Sequence, residues 1–222
     1  MSRQLGTDPE PEPVEERIAD RLSARTDAGD LSRAAAWVLR RLAGGDRAVY
    51  RAVARWPTPR ADATLRRVSV LADRSKPWLA VAAVLALAGG ARGRHAALSG
   101  VTAIAATSLV VNQPLKTMAS RHRPDRTVLG VPEHRWVPMP TSRSFPSGHA
   151  ASATAFAVAV GQVLPPLRPL LRGAAVVVGF SRVHTGVHYP SDVVVGSTVG
   201  ALLGQVVPRL LPRILRRLRP RR

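Results

Sequence analysis

The sequence predicts an all-α protein, an integral-membrane helical bundle of about five transmembrane helices preceded by an amphipathic interfacial helix. Two observations support this prediction. Apolar residues collect after Pro77 in blocks that are nearly free of charge, whereas the residues before them are dense in Arg, Asp and Glu. Within that charged part, apolar residues recur with a period near 3.6, which is typical of an amphipathic helix. A soluble helical bundle remains the alternative architecture.

Composition divides the chain into four regions. The first contains Pro9, Pro11 and Pro13 among acidic residues and is expected to be a disordered tail. The second is an amphipathic or interfacial helical segment, the third is the membrane domain, and the last is an Arg-rich C-terminal tail. Their predicted bounds are 1–30, 31–75, 76–210 and 211–222.

The amphipathic character of the second region is clearest over residues 31–56. Leu31, Trp37 and Leu42 share one side, and arginines, including Arg33 and Arg40, occupy the other. Such a helix suits a membrane surface. A helix packed against the protein domain explains the same pattern equally well.

Five later segments are candidates to cross a bilayer, which requires about 20 apolar residues. Only the second is free of charge over such a length, from Ala96 to Leu115. The fourth is interrupted by Arg172 and Arg182, although arginines can extend their charge to the membrane surface near the ends of a span. Their succession, more than any one segment, predicts the bundle. The segments are 77–92, 96–116, 149–165, 169–187 and 192–208.

The net charge of +19 is carried almost entirely by arginine, because Lys76 and Lys116 are the only lysines. Such a balance favours an anionic partner: nucleic acid, an anionic bilayer or a phosphorylated substrate. The absence of cysteine excludes disulfides, thiol catalysis and thiolate metal sites. The polar N-terminus contains no apolar core of a signal peptide.

Three clusters of polar residues, 116–124, 144–149 and 181–192, lie at the ends of apolar blocks. Lys116 and Arg123 are two helical turns apart and leave the same face of a helix. Together with Arg182 they offer one point charge and two planar forks, which suit a phosphate dianion. Taken singly, Lys116 and Arg123 also suit anchoring at a membrane surface.

The second cluster, Pro146-Ser147-Gly148-His149, leads into an apolar block. Backbone N–H groups at a helix start favour an anion, and Gly148 permits close approach of phosphate. A serine that simply caps the helix explains the same residues without a function.

The third cluster pairs His188 with Asp192, the only carboxylate after Glu133. A carboxylate that holds one ring nitrogen of a histidine fixes its tautomer and leaves the other nitrogen as a nucleophile. Protonation of a departing alkoxide needs a further acid, for which His149 is the candidate. His188 alone would also be explained as a structural histidine at an interface.

Together these residues resemble the three-part signature of the type-2 phosphatidic acid phosphatase superfamily. That signature is Lys, six residues, Arg-Pro; then Pro-Ser-Gly-His; then Ser-Arg, five residues, His, three residues, Asp. Residues 116–192 match every specified position. The resemblance implies a membrane-embedded helical bundle and a hydrolase that removes a phosphate monoester or diphosphate from a lipid, with no cofactor and no metal ion.

The resemblance also implies roles for individual residues. His188 would attack phosphorus and carry the phosphate, Asp192 would orient it, and His149 would protonate the leaving oxygen. The remaining signature residues would hold the phosphate oxygens: Lys116, Arg123, Ser147, Gly148 and Arg182.

The other polar residues near the three clusters are not expected to take part in catalysis. His184 fills no position of the signature and is expected either to support the site residues indirectly or to be structural. Tyr189 and Trp136 suit membrane-interface anchoring. Arg121, His122 and Arg126 are expected to face lipid headgroups. The loop between residues 125 and 143 is expected to contribute to substrate choice.

An antiparallel succession of spans brings the three clusters to one side of the membrane. The short loops and the C-terminal tail on the opposite side are rich in arginine, which by the positive-inside rule turns the site outward from the cytoplasm. The chain is therefore expected to be a multi-pass plasma-membrane protein with an extracytoplasmic site. Membrane lipids and a lipid phosphate are its expected partners, nucleic acid is not, and the sequence leaves the oligomeric state open.

Two other functions remain as alternatives. A vanadate-dependent haloperoxidase shares this anion pocket, although the short apolar chain argues against it. A basic nucleic-acid-binding protein would explain the isoelectric point near 11.9 but not the uncharged apolar blocks. Candidate substrates are phosphatidic acid, phosphatidylglycerol phosphate, a polyprenyl diphosphate and a polyprenyl-linked sugar phosphate.

Overall fold

Helices provide all the regular secondary structure in the residues that the structure, a computed structural model, describes: 44–111 and 121–218, with side chains to Leu210. The predicted all-α class is therefore confirmed. Three short 3₁₀ turns lie at Asp73–Ser75, Glu133–Arg135 and Pro165–Leu167. The α-helices are α1 over 44–55, α2 Pro59–Leu71, α3 Lys76–Ala88, α4 Gly90–Val110, α5 Gly148–Val163, α6 Arg168–His184 and α7 Pro190–Leu218.

The five predicted apolar segments coincide with α3 to α7, with shifted boundaries. The largest shift is at the end of the fifth segment, because α7 continues to Leu218. In the second segment, α4 begins at Gly90 and not at residue 96. A side chain at Gly93 would place its Cβ 2.1 Å from the carbonyl oxygen of Leu85, so the helices α3 and α4 meet too closely for one there. Residues 112–116 of the predicted second segment lie outside the described residues.

Among the described residues, one helix is long and apolar enough to cross a membrane by length and composition. It is α7, whose segment Pro190–Leu210 has a mean hydropathy of 1.5. The helices α3, α5 and α6 have 13, 16 and 17 residues, fewer than the roughly 20 that a perpendicular span needs. The prediction of five spans therefore stays a prediction.

The helix α5 is the centre of the bundle and packs against α4, α6 and α7. It is buried along nearly its whole length because most of its residues are alanine or valine. Every fourth residue of α7 that faces it is glycine: Gly196, Gly200 and Gly204. A Cβ at Gly200 would lie 2.1 Å from the carbonyl oxygen of Ala151, so only glycine permits this approach. Small residues therefore set the distance between α5 and α7.

The N-terminal helices cover the end of the bundle at which α6 stops and α7 starts. Tyr50 and Ala54 of α1 are buried in an apolar cluster with Val183 and Tyr189. The hydroxyl of Tyr50 donates a hydrogen bond of 3.1 Å to the carbonyl of Gly186. The described part of the amphipathic segment thus packs on the bundle. Residues 1–43, with the predicted disordered tail, lie outside the described residues.

Candidate active site

Two of the three predicted clusters meet where α5 begins, α6 ends and α7 begins, and Arg123 of the remaining cluster joins them. The backbone N–H of Ser147 donates to the carbonyl of Asp192 at 2.9 Å, which ties the start of α5 to the start of α7. Lys116, the other cation of the first cluster, lies outside the described residues.

The predicted pair of His188 and Asp192 is present and buried, with 1% and 0% of the residue surface exposed. Nδ1 of His188 lies 3.3 Å from Oδ2 of Asp192. On the other side of the ring, Nη1 of Arg123 lies 3.2 Å from Nε2. Because a guanidinium only donates, Nε2 accepts this bond and Nδ1 carries the proton. The ring therefore presents a lone pair at Nε2, on the side of Arg123.

The electrostatic surroundings keep His188 neutral. Burial is the main cause that lowers the pKa of His188, to about 4; the hydrogen bond to Asp192 and its charge oppose this, and Arg123 and Arg182 act with burial. Burial also lowers the pKa of Arg123, to about 10, which leaves it a cation at neutral pH. The site thus combines a neutral imidazole with a fixed cation.

Arg123 is fixed by backbone oxygens on both sides. Its Nη1 donates to the carbonyl of Val187 at 2.7 Å, and its Nε donates to the carbonyl of Ser142 at 2.9 Å. The loop after α6 and the loop before α5 therefore both position this guanidinium.

Asp192 has a full set of hydrogen-bond donors that the sequence did not reveal. Its Oδ1 accepts from Nη1 of Arg121 at 2.8 Å. Its Oδ2 accepts a short hydrogen bond from the hydroxyl of Ser144 and a bond of 2.9 Å from the backbone N–H of Tyr189. These donors hold the carboxylate in one orientation toward His188.

Two predictions, that Arg121 and Tyr189 lie at the membrane surface, were wrong. Arg121 was expected to face lipid headgroups, yet it is 1% exposed and joins Asp192 to Asp46 of α1, whose Oδ2 lies 2.5 Å from its Nη2. Tyr189 was expected to anchor the protein at a membrane surface, yet it is buried with Arg121 4.0 Å above its ring centre. Two buried carboxylates explain why Arg121 points inward.

Arg182 lies at the C-terminal end of α6 and contacts α2. Its Nη1 donates to the carbonyl and to the hydroxyl of Ser69, at 2.8 and 2.7 Å. Its Nε is buried and has no hydrogen-bond partner among the described residues. The guanidinium thus retains one donor without a described partner.

Ser147 and Gly148 form the start of α5. The side chain of Ser147 is fully buried and accepts a bond of 3.4 Å from the backbone N–H of Ala150, so it caps the helix. Gly148 is the first helical residue. The role of Ser147 and Gly148 as phosphate ligands stays a prediction.

His149 is the second residue of α5 and lies within electrostatic reach of Arg182 and His188. Its Nε2 is 3.4 Å from Oδ1 of Asp73, a carboxylate in the turn after α2. Sequence reasoning missed Asp73 because it lies in the charged N-terminal part, far from the signature.

A separate polar cluster surrounds Asp62 of α2. Nε2 of His184 and Nε of Arg135 each lie 3.0 Å from its Oδ1, and Nε2 of His134 lies 2.8 Å from its Oδ2. Burial opposes the ionisation of Asp62, but the hydrogen bonds from Thr58 and His134 and the charges of Arg135 and His184 lower its pKa to about 2. His184 is thus paired with Asp62 in this structural cluster.

Arg126, which was expected to face headgroups, is half-buried and contacts the half-buried Trp136. Arg126 donates to the carbonyl of Val137 at 2.8 Å and lies 4.8 Å above the ring of Trp136. The indole N–H of Trp136 donates to the carbonyl of Val131 at 2.9 Å. These two side chains therefore order the loop beside the site, whereas His122 is exposed.

Comparison with known proteins defines the class. The family model of the PAP2 superfamily matches residues 96–216. Decaprenylphosphoryl-5-phosphoribose phosphatase of Mycobacterium tuberculosis is 35% identical over 134 residues, which cover 60% of this chain and 71% of that protein. The chain therefore belongs to the PAP2 superfamily, as its signature predicted, and it is a hydrolase of phosphoric monoesters or diphosphates.

Solved structures share the fold. The crystal structure of Aquifex aeolicus LpxE has a TM-score of 0.59 at 23% identity and covers 72% of this chain and 93% of its own. That of a transmembrane PAP2-type phosphatidylglycerolphosphate phosphatase from Bacillus subtilis has a TM-score of 0.56 at 21% identity and covers 94% and 97%. This chain therefore has the fold of transmembrane members of the family.

Proposed function

We propose that the protein is a membrane lipid phosphatase that works through a phosphohistidine on His188 and needs no metal ion. The main support for this proposal is the environment of the His188 imidazole. Asp192 lies at Nδ1, and the cation Arg123 lies 3.2 Å from Nε2. A phosphate bound to Arg123 would have its phosphorus next to the nitrogen that carries the lone pair.

The reaction proceeds in two balanced steps. Nε2 of His188 forms a bond to phosphorus while the bond to the leaving oxygen breaks, and His149 gives that oxygen its proton. Water then attacks the phosphohistidine, His149 takes a proton from it, and phosphate leaves. Asp192 stabilises the charge that develops on the imidazole in the first step.

Cationic side chains replace a metal ion in this proposal. Arg123, Arg182 and Lys116 hold the phosphate oxygens, with the backbone at Gly148 as a further donor. The partnerless Nε of Arg182 supports its part.

The substrate that we propose is a polyprenyl-linked sugar phosphate. The support is the mycobacterial relative, whose name specifies a decaprenyl-linked phosphoribose and which the chain matches over most of its length. The helices α3 to α7 would cross the plasma membrane, tilted or within a locally thinned bilayer where they are short. The Arg-rich loops would remain in the cytoplasm and the site would face outward.

The test is a substrate panel with purified protein in detergent. Polyprenyl-phosphoryl ribose 5-phosphate, polyprenyl diphosphate, phosphatidic acid and phosphatidylglycerol phosphate would each be assayed with excess EDTA. We expect hydrolysis to persist in the chelator and to be fastest with the sugar phosphate. If EDTA abolishes turnover and Mg²⁺ restores it, the metal-free mechanism is wrong; a preference for another lipid would refute the substrate assignment.

A further inference from the structure

A polar cavity lies next to His149, between the turn after α2, the end of α4 and the start of α5. Its volume is about 150 Å³. Four residues that bear hydroxyl groups line it, Ser75, Thr107, Ser108 and Ser152, together with Gly148 and His149 at the start of α5. Arg123, Arg182 and His188 are not among its lining residues. The cavity therefore adjoins the proposed acid and neither of the described phosphate cations, Arg123 and Arg182; Lys116 lies outside the described residues.

Thr107 gives the cavity a specific chemical demand. The residue is fully buried, and its hydroxyl has no hydrogen-bond partner among the described residues. A buried hydroxyl without a partner is unfavourable, because it has lost its bonds to water. The hydroxyl is closed off from the cavity in this conformation, so a ligand with hydroxyl groups would satisfy it after a rotation of the Thr107 side chain, whereas an acyl or prenyl chain would leave it unpaired.

The position of His149 indicates which part of a substrate reaches the cavity. In the proposed reaction His149 protonates the leaving oxygen, so the atoms next to that oxygen lie on its side of the site. We infer that the cavity is a leaving-group subsite that binds the sugar of a lipid-linked sugar phosphate. This inference rests on the proposed function and specifies its substrate class.

Size and charge agree with a sugar. The volume corresponds to about five water molecules, enough for the hydroxyl-bearing edge of a sugar ring. Arg74 lies at the exposed rim of the cavity, where its cation suits an anion on the far side of the sugar, such as the phosphodiester that joins it to the lipid. If diacylglycerol or prenol were the leaving group, it would offer neither sugar hydroxyl groups for Thr107 nor an anion for Arg74.

The experiment replaces the hydroxyl of Thr107 while keeping its shape. Thr107→Val would be compared with wild type on two substrates, farnesylphosphoryl ribose 5-phosphate and farnesyl phosphate, which carries no sugar. We expect kcat/KM to fall about three- to tenfold for the first, the usual effect of one lost neutral hydrogen bond, and to stay unchanged for the second. Thr107→Ser keeps a hydroxyl and should retain most of the selectivity.

A matched control lies on the same helix. Ser99 is also fully buried in α4 with no hydrogen-bond partner among the described residues, but it does not line the cavity. Ser99→Ala should therefore leave kcat/KM unchanged for both substrates. Melting temperatures in detergent would show that each variant is folded.

Three outcomes would overturn the inference, and they are distinguishable. If Thr107→Val leaves the ratio of the two substrates unchanged, or lowers both equally, the cavity does not bind the sugar although the phosphatase mechanism stands. If wild type cleaves only farnesyl phosphate, the same conclusion holds. If it cleaves neither, the proposed function itself is wrong and the inference falls with it.

Discussion

Among single residues, Arg121 links the N-terminal helix α1 to the proposed nucleophile. Its guanidinium lies between Asp46 and Asp192, and Ser191 at 2.6 Å completes the contact. Asp46 in turn accepts from the backbone N–H of Ser191 at 2.8 Å. Because Arg121 is fixed in this way, the carboxylate of Asp192 cannot rotate away from His188. Arg121 therefore acts as a positioning residue, through Asp192.

The first prediction concerns Arg121→Lys. Lysine cannot bridge both carboxylates with a planar fork, so Asp192 should lose its fixed orientation. We expect kcat to fall by about 10- to 100-fold, as for other partners that orient a reacting group, with KM changed much less. Steady-state kinetics and the rate of phosphoenzyme formation would measure this. Asp46→Asn, which keeps the shape, should have a smaller effect; a raised KM with normal kcat would instead show that Arg121 binds substrate.

The second prediction tests the acid role of His149. An alkoxide is a poor leaving group, and a general acid typically contributes about 10²–10⁴-fold. His149→Ala should therefore lose far more rate on a lipid phosphate than on nitrophenyl phosphate, which needs little protonation. Single-turnover rates would isolate the chemical step. Equal losses on both substrates would mean that His149 binds phosphate or supports the start of α5.

The sequence predicted the central pair because His188 and Asp192 are one helical turn apart and no other carboxylate follows Glu133. It did not predict Asp46, Ser69 or Asp73, whose contacts with the site depend on tertiary packing alone. No local spacing connects these residues to α5, α6 or α7. A buried arginine between two acids is likewise invisible until the fold places all three together.

At the scale of helices, the contact of α5 with α7 depends on the absence of side chains. The glycines at 196, 200 and 204 face the backbone of α5 at Ser147, Ala151 and Ala155. This contact also sets the site, because Ser147 is bonded to Asp192 at its end. The apolar pattern of α7 predicted a helix but not that its glycines determine the helix spacing.

The third prediction follows from this contact. Gly200→Ala would place a Cβ 2.1 Å from the carbonyl oxygen of Ala151, so the helices must separate. We expect a loss of roughly 1–3 kcal/mol in stability, the usual cost of overpacking, and a lower melting temperature in detergent. The control is Gly173→Ala on α6, which meets nothing within 4 Å and should gain roughly 0.5–1 kcal/mol. Equal effects of the two variants would contradict the packing argument.

The fourth prediction concerns α2 and its Asp62 cluster. The pKa of Asp62 is lowered from 3.8 to about 2, so its ionised form stabilises the fold. That stability is complete above the unfolded value and is lost as pH falls from about 3.8 through about 2. The melting temperature of wild type should therefore exceed that of Asp62→Asn at neutral pH, and the difference should shrink over this acid range. A difference independent of pH would show that the Asp62 charge does not stabilise the fold.

For the whole molecule, the sequence predicted the order of the helices better than the way they cover one another. Apolar blocks with few charges predict where α3 to α7 lie, because apolar residues must be buried in protein or lipid. An amphipathic pattern shows which side of the N-terminal segment is apolar, but not what covers it. In the structure α1 packs over the N-terminal end of α7, and Ser69 of α2 accepts a hydrogen bond from Arg182. The N-terminal helices therefore complete the candidate site.

The most direct test of the account is to trap the phosphoenzyme. Purified protein would be mixed with a ³²P-labelled lipid phosphate, quenched within milliseconds in alkali, where phosphohistidine survives, and mapped by mass spectrometry. We expect one labelled residue, His188, with label absent from His188→Ala and present in His184→Ala. Label on another residue, or full turnover by His188→Ala, would contradict the proposed mechanism.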